Sequence, residues 1–253
     1  NFVGFEEYCQ RIHRTLRKLS RNTNANTRVL RMDVRPALKY LFTPQSIAYV
    51  HCLYPPPWPK KSDIKHRLFT SDFLKLVNNR LVSGGTLKIV TDHFAYMDWI
   101  GENISGTGFE AQLKTITPSY DTKFERKWAQ AGQREFKELL LKKIQHMDFV
   151  SNKEDVVQHY HLDHFEPTDF KMADYSQEGI AVVFKDYMYD PKRQIALIHV
   201  LVNDEHLFQN IRIGIFKTEK GWQMNLAEGT MHMPTAGVAK ALELTYQVAS
   251  SAK

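Results

Sequence analysis

The stretch "SIAYVHCLYPPPWPKK", residues 46–61, decides the fold. Its apolar half, ending at Tyr54, has the composition of a strand. Three consecutive prolines follow, and because proline lacks a backbone N–H and fixes φ, the strand must stop there. Trp58, Lys60 and Lys61 then form a stiff, aromatic, positively charged ledge at the strand's end. Outward from this corner, strands alternate with helices. On the N-terminal side "NFVGFE" (1–6) reads as strand, and Tyr8, Ile12, Leu16 and Leu19 recur at helical spacing in an Arg-rich segment. "TRVLRMD" (27–33) is again strand and "RPALKYLF" (35–42) a short helix. On the C-terminal side Thr70 or Ser71 caps a helix over "DFLKLVNNRLV" (72–82), Gly84 and Gly85 end it, and "TLKIVTD" (86–92) is strand. The rhythm predicts a mostly parallel sheet with crossover helices.

A chain of 253 residues, 43% hydrophobic, suits one large soluble domain or two ordinary ones. No run approaches the roughly 18 apolar residues of a membrane span, and the N-terminus does not read as a signal peptide. A cytoplasmic protein with no membrane partner is expected. Cys9 and Cys52 are too few for a disulfide framework. The charge is unevenly divided. Residues 1–147 hold 24 Lys and Arg against 13 Asp and Glu, a balance of +11, whereas 148–253 hold 10 against 15, a balance of −5. A single-sign field on the first part predicts a polyanionic partner such as a nucleic acid.

Ligands of an open parallel sheet bind beyond the carboxyl ends of its strands. Glu6, Asp33, the Pro55–Trp58 corner and Asp92 all fall at such ends. An acid after the second strand of a nucleotide-binding sheet can accept both ribose hydroxyls, and one after the next strand can meet an adenine amino group. A helix cap or a solvated turn is the plainer reading of any one of these acids taken alone.

From Asn1 to about Ile144 the sequence resembles the bacterial tRNA (guanine-N7-)-methyltransferases. The residues that carry the likeness are "NFVGFE", "PPPWPKK" with the later "KHR" (65–67), "GGTLKIVTD" (84–92) and "SYDTKFERKWAQAG" (119–132). The resemblance implies a Rossmann-like α/β methyltransferase sheet over 1–147, S-adenosylmethionine as cofactor, tRNA as partner, and methyl transfer to N7 of a guanine. By it, Glu6, Asp33, Tyr54 and Pro55 would bind the cofactor, and Asp92, Thr122 and Glu125 would be the catalytic residues around the guanine and the transferred methyl. Trp58, Lys60, Lys65, Arg67, Lys123 and Arg126 would bind the tRNA. Thr122-x-x-Glu125 is equally a capping box, and both roles can hold together.

Two departures qualify this. The family's corner reads Pro-Asp-Pro-Trp, followed by Arg-His and then Lys-Arg-Arg; here Pro56 stands in place of the acid, Ser62-Asp63 in place of Arg-His, and His66 in place of the first arginine of the later pair. Guanine N7 presents a lone pair and no proton, so its methylation requires alignment and exclusion of water rather than a general base. Loss of the corner acid is expected to weaken orientation more than chemistry. The alternative is a non-catalytic tRNA-binding protein that retains the fold. A third reading is an amino-group methyltransferase, whose Asn/Asp-Pro-Pro-aromatic corner this one matches in its prolines and ring. The second departure is at the start: Asn1 opens what resembles the sheet's second strand, so an incomplete chain without the first strand and its glycine-rich turn is expected.

Residues 148–253 read as a smaller α+β antiparallel-sheet domain of unknown role. "IAVVFKDYMY" (180–189), "RQIALIHVLV" (193–202), "LFQNIRIGIFK" (207–217) and "WQMNLAEGTM" (222–231) are strands separated by turns. "TAGVAKALELTYQVAS" (235–250) closes the chain as a helix, with Thr235 as cap. "HYHLDH" (159–164) would put His159, His161 and Asp163 on one face of a strand. No further ligand motif accompanies it, so surface or packed histidines are expected rather than a metal site.

Overall fold

The computed structural model describes residues 1–21, 26–149, 159–168, 170–204 and 206–251. The chain divides into two compact units, Leu38–Val150 and Asn1–Ala37 together with Ser151–Lys253. The division adds a boundary near residue 37 to the one that the sequence places at 147/148.

In the second of these units, β1 (Phe2–Phe5), α1 (Cys9–Arg21) and β2 (Thr27–Leu30) form a strand–helix–strand crossover. β1 and β2 pair in parallel from Phe2↔Thr27 to Phe5↔Leu30. β2 ends three residues before Asp33, which instead opens α2 (Val34–Leu41). The same unit holds a six-stranded antiparallel sheet. Its strands are β7 (Tyr160–Leu162), β8 (Tyr175–Gln177), β9 (Ile180–Asp190), β10 (Ile195–Asp204), β11 (Leu207–Thr218) and β12 (Gly221–Leu226), ordered β7-β12-β11-β10-β9-β8. Ile211, Ile213 and Ile215 alternate onto the face covered by α6 (Ala236–Ser251), where Val238, Ala241, Leu242 and Ala249 join them in one core. Thr235 caps α6 as expected, its hydroxyl accepting from the Val238 N–H at 3.4 Å. This is the α+β domain read from the sequence.

Unit Leu38–Val150 contains β3 (Ile47–Leu53), a 3-10 turn (Lys61–His66), α3 (Ser71–Arg80), β4 (Leu81–Thr91), α4 (Phe94–Glu102), β5 (Phe109–Ile116), α5 (Lys123–Gln130) and β6 (Phe136–Lys143). The sheet order is β3-β4-β6-β5. β3 and β4 are parallel, whereas β6 is antiparallel to both β4 and β5, so β6 alone runs against the rest. That reversed strand is the detail that strand–helix alternation does not disclose. Leu87, Ile89, Leu141, Leu74, Val77, Tyr96 and Ile100 are fully or almost fully buried around the sheet.

Gly84 and Gly85 do not end a helix. α3 stops at Arg80 and the chain passes directly into β4, whose pairing with β3 jumps from Ile47↔Leu81 to Tyr49↔Thr86. The glycines lie in this irregularity. Gly84 has φ +70°, and a Cβ on Gly85 would stand 3.0 Å from the Ala48 carbonyl.

The end of α3 needs other partners for its carbonyls. Lys143, buried at the end of β6, donates to the Asn78 carbonyl at 2.7 Å and to the Leu81 carbonyl at 2.6 Å, a cation at the negative end of the helix. Asn78 donates to the Gln145 carbonyl and accepts from the Met147 N–H, both at 2.9 Å, tying the chain after β6 to α3. Arg80 reaches the Leu38 and Lys39 carbonyls at 2.7 and 2.9 Å. Replacing Asn78 by Leu is expected to cost about 1–3 kcal/mol for each backbone group left buried and unpaired. A urea titration should show a lower midpoint with an unchanged slope; an unchanged midpoint would refute the tie.

Candidate active site

β3 does not end at its last assigned residue, because the Tyr54 N–H still donates to the Val90 carbonyl at 2.7 Å. Tyr54 then takes φ +57° and, after the three prolines, Trp58 takes φ +46°. Left-handed backbone at a bulky residue costs roughly 1–2 kcal/mol and persists only where surroundings hold it. Arg67 holds one side. It is 7% exposed, and its guanidinium donates to the Pro57 carbonyl at 3.0 Å and the Trp58 carbonyl at 3.4 Å while lying over the rings of Tyr96 (5.3 Å) and Trp99 (5.0 Å). The expectation that Arg67 meets tRNA is therefore corrected. Its charge faces inward, and it fixes the corner. Lys60 and Lys65 are exposed on the ledge and the 3-10 turn, and the Trp58 ring is partly exposed beside His66, 5.2 Å between centroids.

On the other side the Tyr54 ring packs on Trp128 (5.1 Å) and Phe136 (5.6 Å). Its hydroxyl is buried close to the Glu125 carboxylate but outside hydrogen-bonding geometry, and among the described residues nothing else accepts it. Burial, then the adjoining Glu125 carboxylate through incomplete hydrogen bonding and its charge, and then the charge of Asp92, raise the Tyr54 pKa above the ordinary phenol value. The same unit thus brings together the end of β3 (Tyr54, Pro55), the end of β4 (Asp92) and the start of α5 (Thr122, Glu125).

Glu125 is 1% exposed. Its carboxylate accepts from the backbone N–H groups of Ser119 (3.1 Å), Tyr120 (3.1 Å) and Thr122 (2.9 Å), while the Thr122 hydroxyl accepts from the Glu125 N–H at 3.1 Å. The capping box is complete. Burial alone would raise the Glu125 pKa; the backbone donors outweigh it and hold the carboxyl below its ordinary value. Glu125 and Thr122 therefore shape the 119–122 loop, with Asp121 left-handed at φ +47° beside them. A cleft of about 270 Å³ opens on this loop, lined by Pro118, Ser119, Asp121, Glu125, Arg126 and Ala129. Arg126 pairs with Asp121 at 3.2 Å in the open, and Lys123 is exposed. Asp92 differs from Glu125. It is half-buried, and among the described residues no hydrogen bond or ion pair engages its carboxylate.

A second acid, not anticipated from the sequence, supports the same loop. Glu138 of β6 is 4% exposed, bonds the Tyr120 hydroxyl, and pairs with Lys114 at 2.9 Å and Lys88 at 3.8 Å. Burial and the Glu138 bond push the Tyr120 phenol up to about 12. The only sequence signal was an acid inside the strand "FKELLLKK", and its partners lie on two other strands.

Glu6 and Asp33 lie in the other unit, beyond the carboxyl ends of the parallel pair β1 and β2. Each also caps. Glu6 accepts from the Tyr8 N–H at 3.0 Å and pairs loosely with Arg11 at 3.6 Å; Asp33 accepts from the Arg35 N–H at 2.7 Å and from its guanidinium at 2.8 Å.

These features define a Rossmann-like α/β protein with polar side chains at the strand ends of each unit. Residues 1–138 match the family described as "Putative methyltransferase". A tRNA (guanine-N(7)-)-methyltransferase of Chlorobium phaeobacteroides is 37% identical over 147 residues, which cover 58% of this chain and 72% of that protein. The enzyme of that name from Thermus thermophilus is 29% identical over 234 residues, 87% of this chain and 71% of the relative. The one from Rhodococcus jostii is 33% identical over 136 residues, 52% and 53% respectively. The chain belongs to the tRNA (guanine-N7-)-methyltransferase family. It spans about half the length of the Rhodococcus relative. The Thermus alignment is too long to fit within residues 1–147, so it extends into residues 148–253. A predicted O-methyltransferase of Agrobacterium tumefaciens superposes with a TM-score of only 0.38 at 16% identity, over 57% of this chain and 64% of that one, so the fold reading rests on the chain's own strand order.

Two outcomes follow for this site. Because Glu125 has a lowered pKa, its contribution to stability is present above the ordinary glutamate pKa and lost as pH falls through the folded value. Thermal unfolding should find Glu125→Gln destabilised at neutral pH, with the gap to wild type closing on acidification; a gap independent of pH would exclude the carboxylate as the cause. Tyr54→Phe removes a buried donor without an acceptor and should raise stability by about 1 kcal/mol. A loss instead would mean that the hydroxyl has a partner in solution.

Proposed function

We propose that this protein transfers a methyl group from S-adenosylmethionine to N7 of a guanine in tRNA. The observation that carries the reading is that the family match over residues 1–138 contains all the strand-end residues, Glu6, Asp33, Tyr54, Asp92, Thr122 and Glu125. The residues present suit the cofactor. Glu6 and Asp33 are acceptor-only groups with lone pairs beyond those engaged by their caps, so they can take ribose hydroxyls and an adenine amine. Tyr54 and Pro55 would complete that binding set. When bound, S-adenosylmethionine supplies an electrophilic methyl on sulfonium.

The chain's own task is then alignment and exclusion of water, worth several powers of ten when the reacting atoms are held in line. Asp92, whose carboxylate is unengaged, takes the place of the corner acid and holds the guanine by its amino edge. Thr122 and Glu125 position the loop beside it. The Trp58 face stacks on a base, and Lys60, Lys65, Lys123 and Arg126 meet phosphates, which position the tRNA rather than specify its sequence. A tRNA substrate suits a cytoplasmic protein; no described helix is long and apolar enough to cross a membrane.

Incubation of the full-length protein with bulk tRNA and methyl-labelled cofactor, followed by reductive, aniline-type scission, tests substrate and atom together. Label that maps to N7 of a guanine is expected. Asp92→Asn should lower kcat/KM at least about tenfold through lost positioning, and Pro56→Asp should leave it unchanged or higher. tRNA binding without transfer would favour a non-catalytic binder, and label on an exocyclic amine would make the protein an amino-methyltransferase.

A further inference from the structure

The strongest charged surface outside this site is α1, whose sequence "CQRIHRTLRKLSR" contains five Lys and Arg and no acid. At 3.6 residues per turn, Arg11, Arg14, Arg17, Lys18 and Arg21 fall within an arc of about 120°, and Ile12, Leu16 and Leu19 gather on the other side. All five cations are exposed. Arg11 pairs with Glu6 at 3.6 Å and lies over the Tyr8 ring at 4.6 Å. Among the described residues, no ion pair or hydrogen bond engages the other four side chains.

Such a helix is not stabilised by its own charges. Arg14–Arg17, Arg14–Lys18, Arg17–Arg21 and Lys18–Arg21 are like-charge neighbours three or four apart, each repelling by about 0.2–0.5 kcal/mol. Arg11 also sits in the first turn, where the helix dipole favours an acid and there is none. An ordinary solvated face mixes signs and avoids both penalties. A polyanion laid along the arc converts them into attraction. A lipid surface fits less well, because an interfacial helix buries a broad free apolar face in the membrane, and here Leu16 is exposed but Ile12 and Leu19 on either side of it are half-buried within the protein.

We propose that the Arg14–Arg17–Lys18–Arg21 face of α1 is a phosphate-binding surface for the tRNA backbone, additional to the residues around the corner. This rests on the tRNA reading above. The exposed ends at i, i+3, i+4 and i+7 address several phosphates without reading bases, so the face sets affinity and placement rather than the choice of guanine.

The test is the salt dependence of tRNA binding, because each phosphate contact adds about 0.7–0.9 to the slope of log affinity against log salt. The quadruple variant Arg14→Gln, Arg17→Gln, Lys18→Gln, Arg21→Gln should lose roughly 2–3.6 from that slope if three or four contacts are real. It should also show a raised KM for tRNA and, with the like-charge repulsion relieved, an unfolding midpoint no lower than that of wild type. The charge-retaining variant Arg14→Lys, Arg17→Lys, Arg21→Lys should keep most of the slope. An unchanged slope in the glutamine variant of a protein that still binds tRNA would overturn the proposal and leave the functional reading intact. If wild type bound no tRNA, the functional reading would fail first. Wild-type binding to phosphatidylserine vesicles in preference to tRNA, abolished in the quadruple variant, would overturn the proposal in favour of a membrane.

Discussion

A buried guanidinium is tolerable only when its donors are met, and Arg67 is met by a corner that has acceptors to offer. Prolines 55–57 cannot donate, and the carbonyls at this corner leave the strand without a ladder partner. Arg67 gives two of them a charged donor, at Pro57 and Trp58, and is itself sandwiched against Tyr96 and Trp99 of α4. The corner and the cation therefore satisfy each other. From this follow the left-handed turn at Trp58, the exposure of its ring, and the placement of the 3-10 turn that carries Lys65. Removing the charge would release an aromatic ledge that the prolines alone only stiffen.

The same economy governs the acids. Asp92 and Glu125 lie in one unit and both act on Tyr54, yet their surroundings assign them different work. Glu125 is enclosed by three backbone N–H donors, so it stays ionised while buried and has little capacity left for a substrate. Asp92 follows the end of β4 with its carboxylate unengaged. Of two residues equal by sequence motif, the one lacking a structural task is the one with lone pairs to offer a guanine. Glu138 extends the division, since by binding Tyr120 it fixes the loop whose N–H groups enclose Glu125.

The strand that stops at the prolines, the parallel pairs β1–β2 and β3–β4 and the antiparallel C-terminal domain were legible because they depend on local rules: missing donors, period-two alternation, capping residues. Gly84 and Gly85 were misread because glycine marks a helix end and a strand irregularity alike, and only the pairing of β3 with β4 distinguishes them. The reversal of β6 was hidden for the same reason, as direction is a property of neighbours. Arg67 looked like its lysine neighbours because its burial is made by rings about thirty residues later. Asp33 could be read as a cap or a ligand, and the structure supplies the cap without removing its remaining lone pairs.

Replacement of the corner acid by Pro56 is tolerable on these grounds. Methylation at a lone pair needs no proton removed, so the transition state asks the protein for geometry above all. Geometry at this corner comes from Arg67, Pro55, Pro57 and the packed rings of Tyr54, Trp128 and Phe136, none of which involves the side chain of residue 56. An acid there would add an orienting contact to a frame that is already rigid. On the proposed function, Asp92, half-exposed at the neighbouring strand end, would supply that contact from the same unit. The constraint that cannot be relaxed is the backbone path itself.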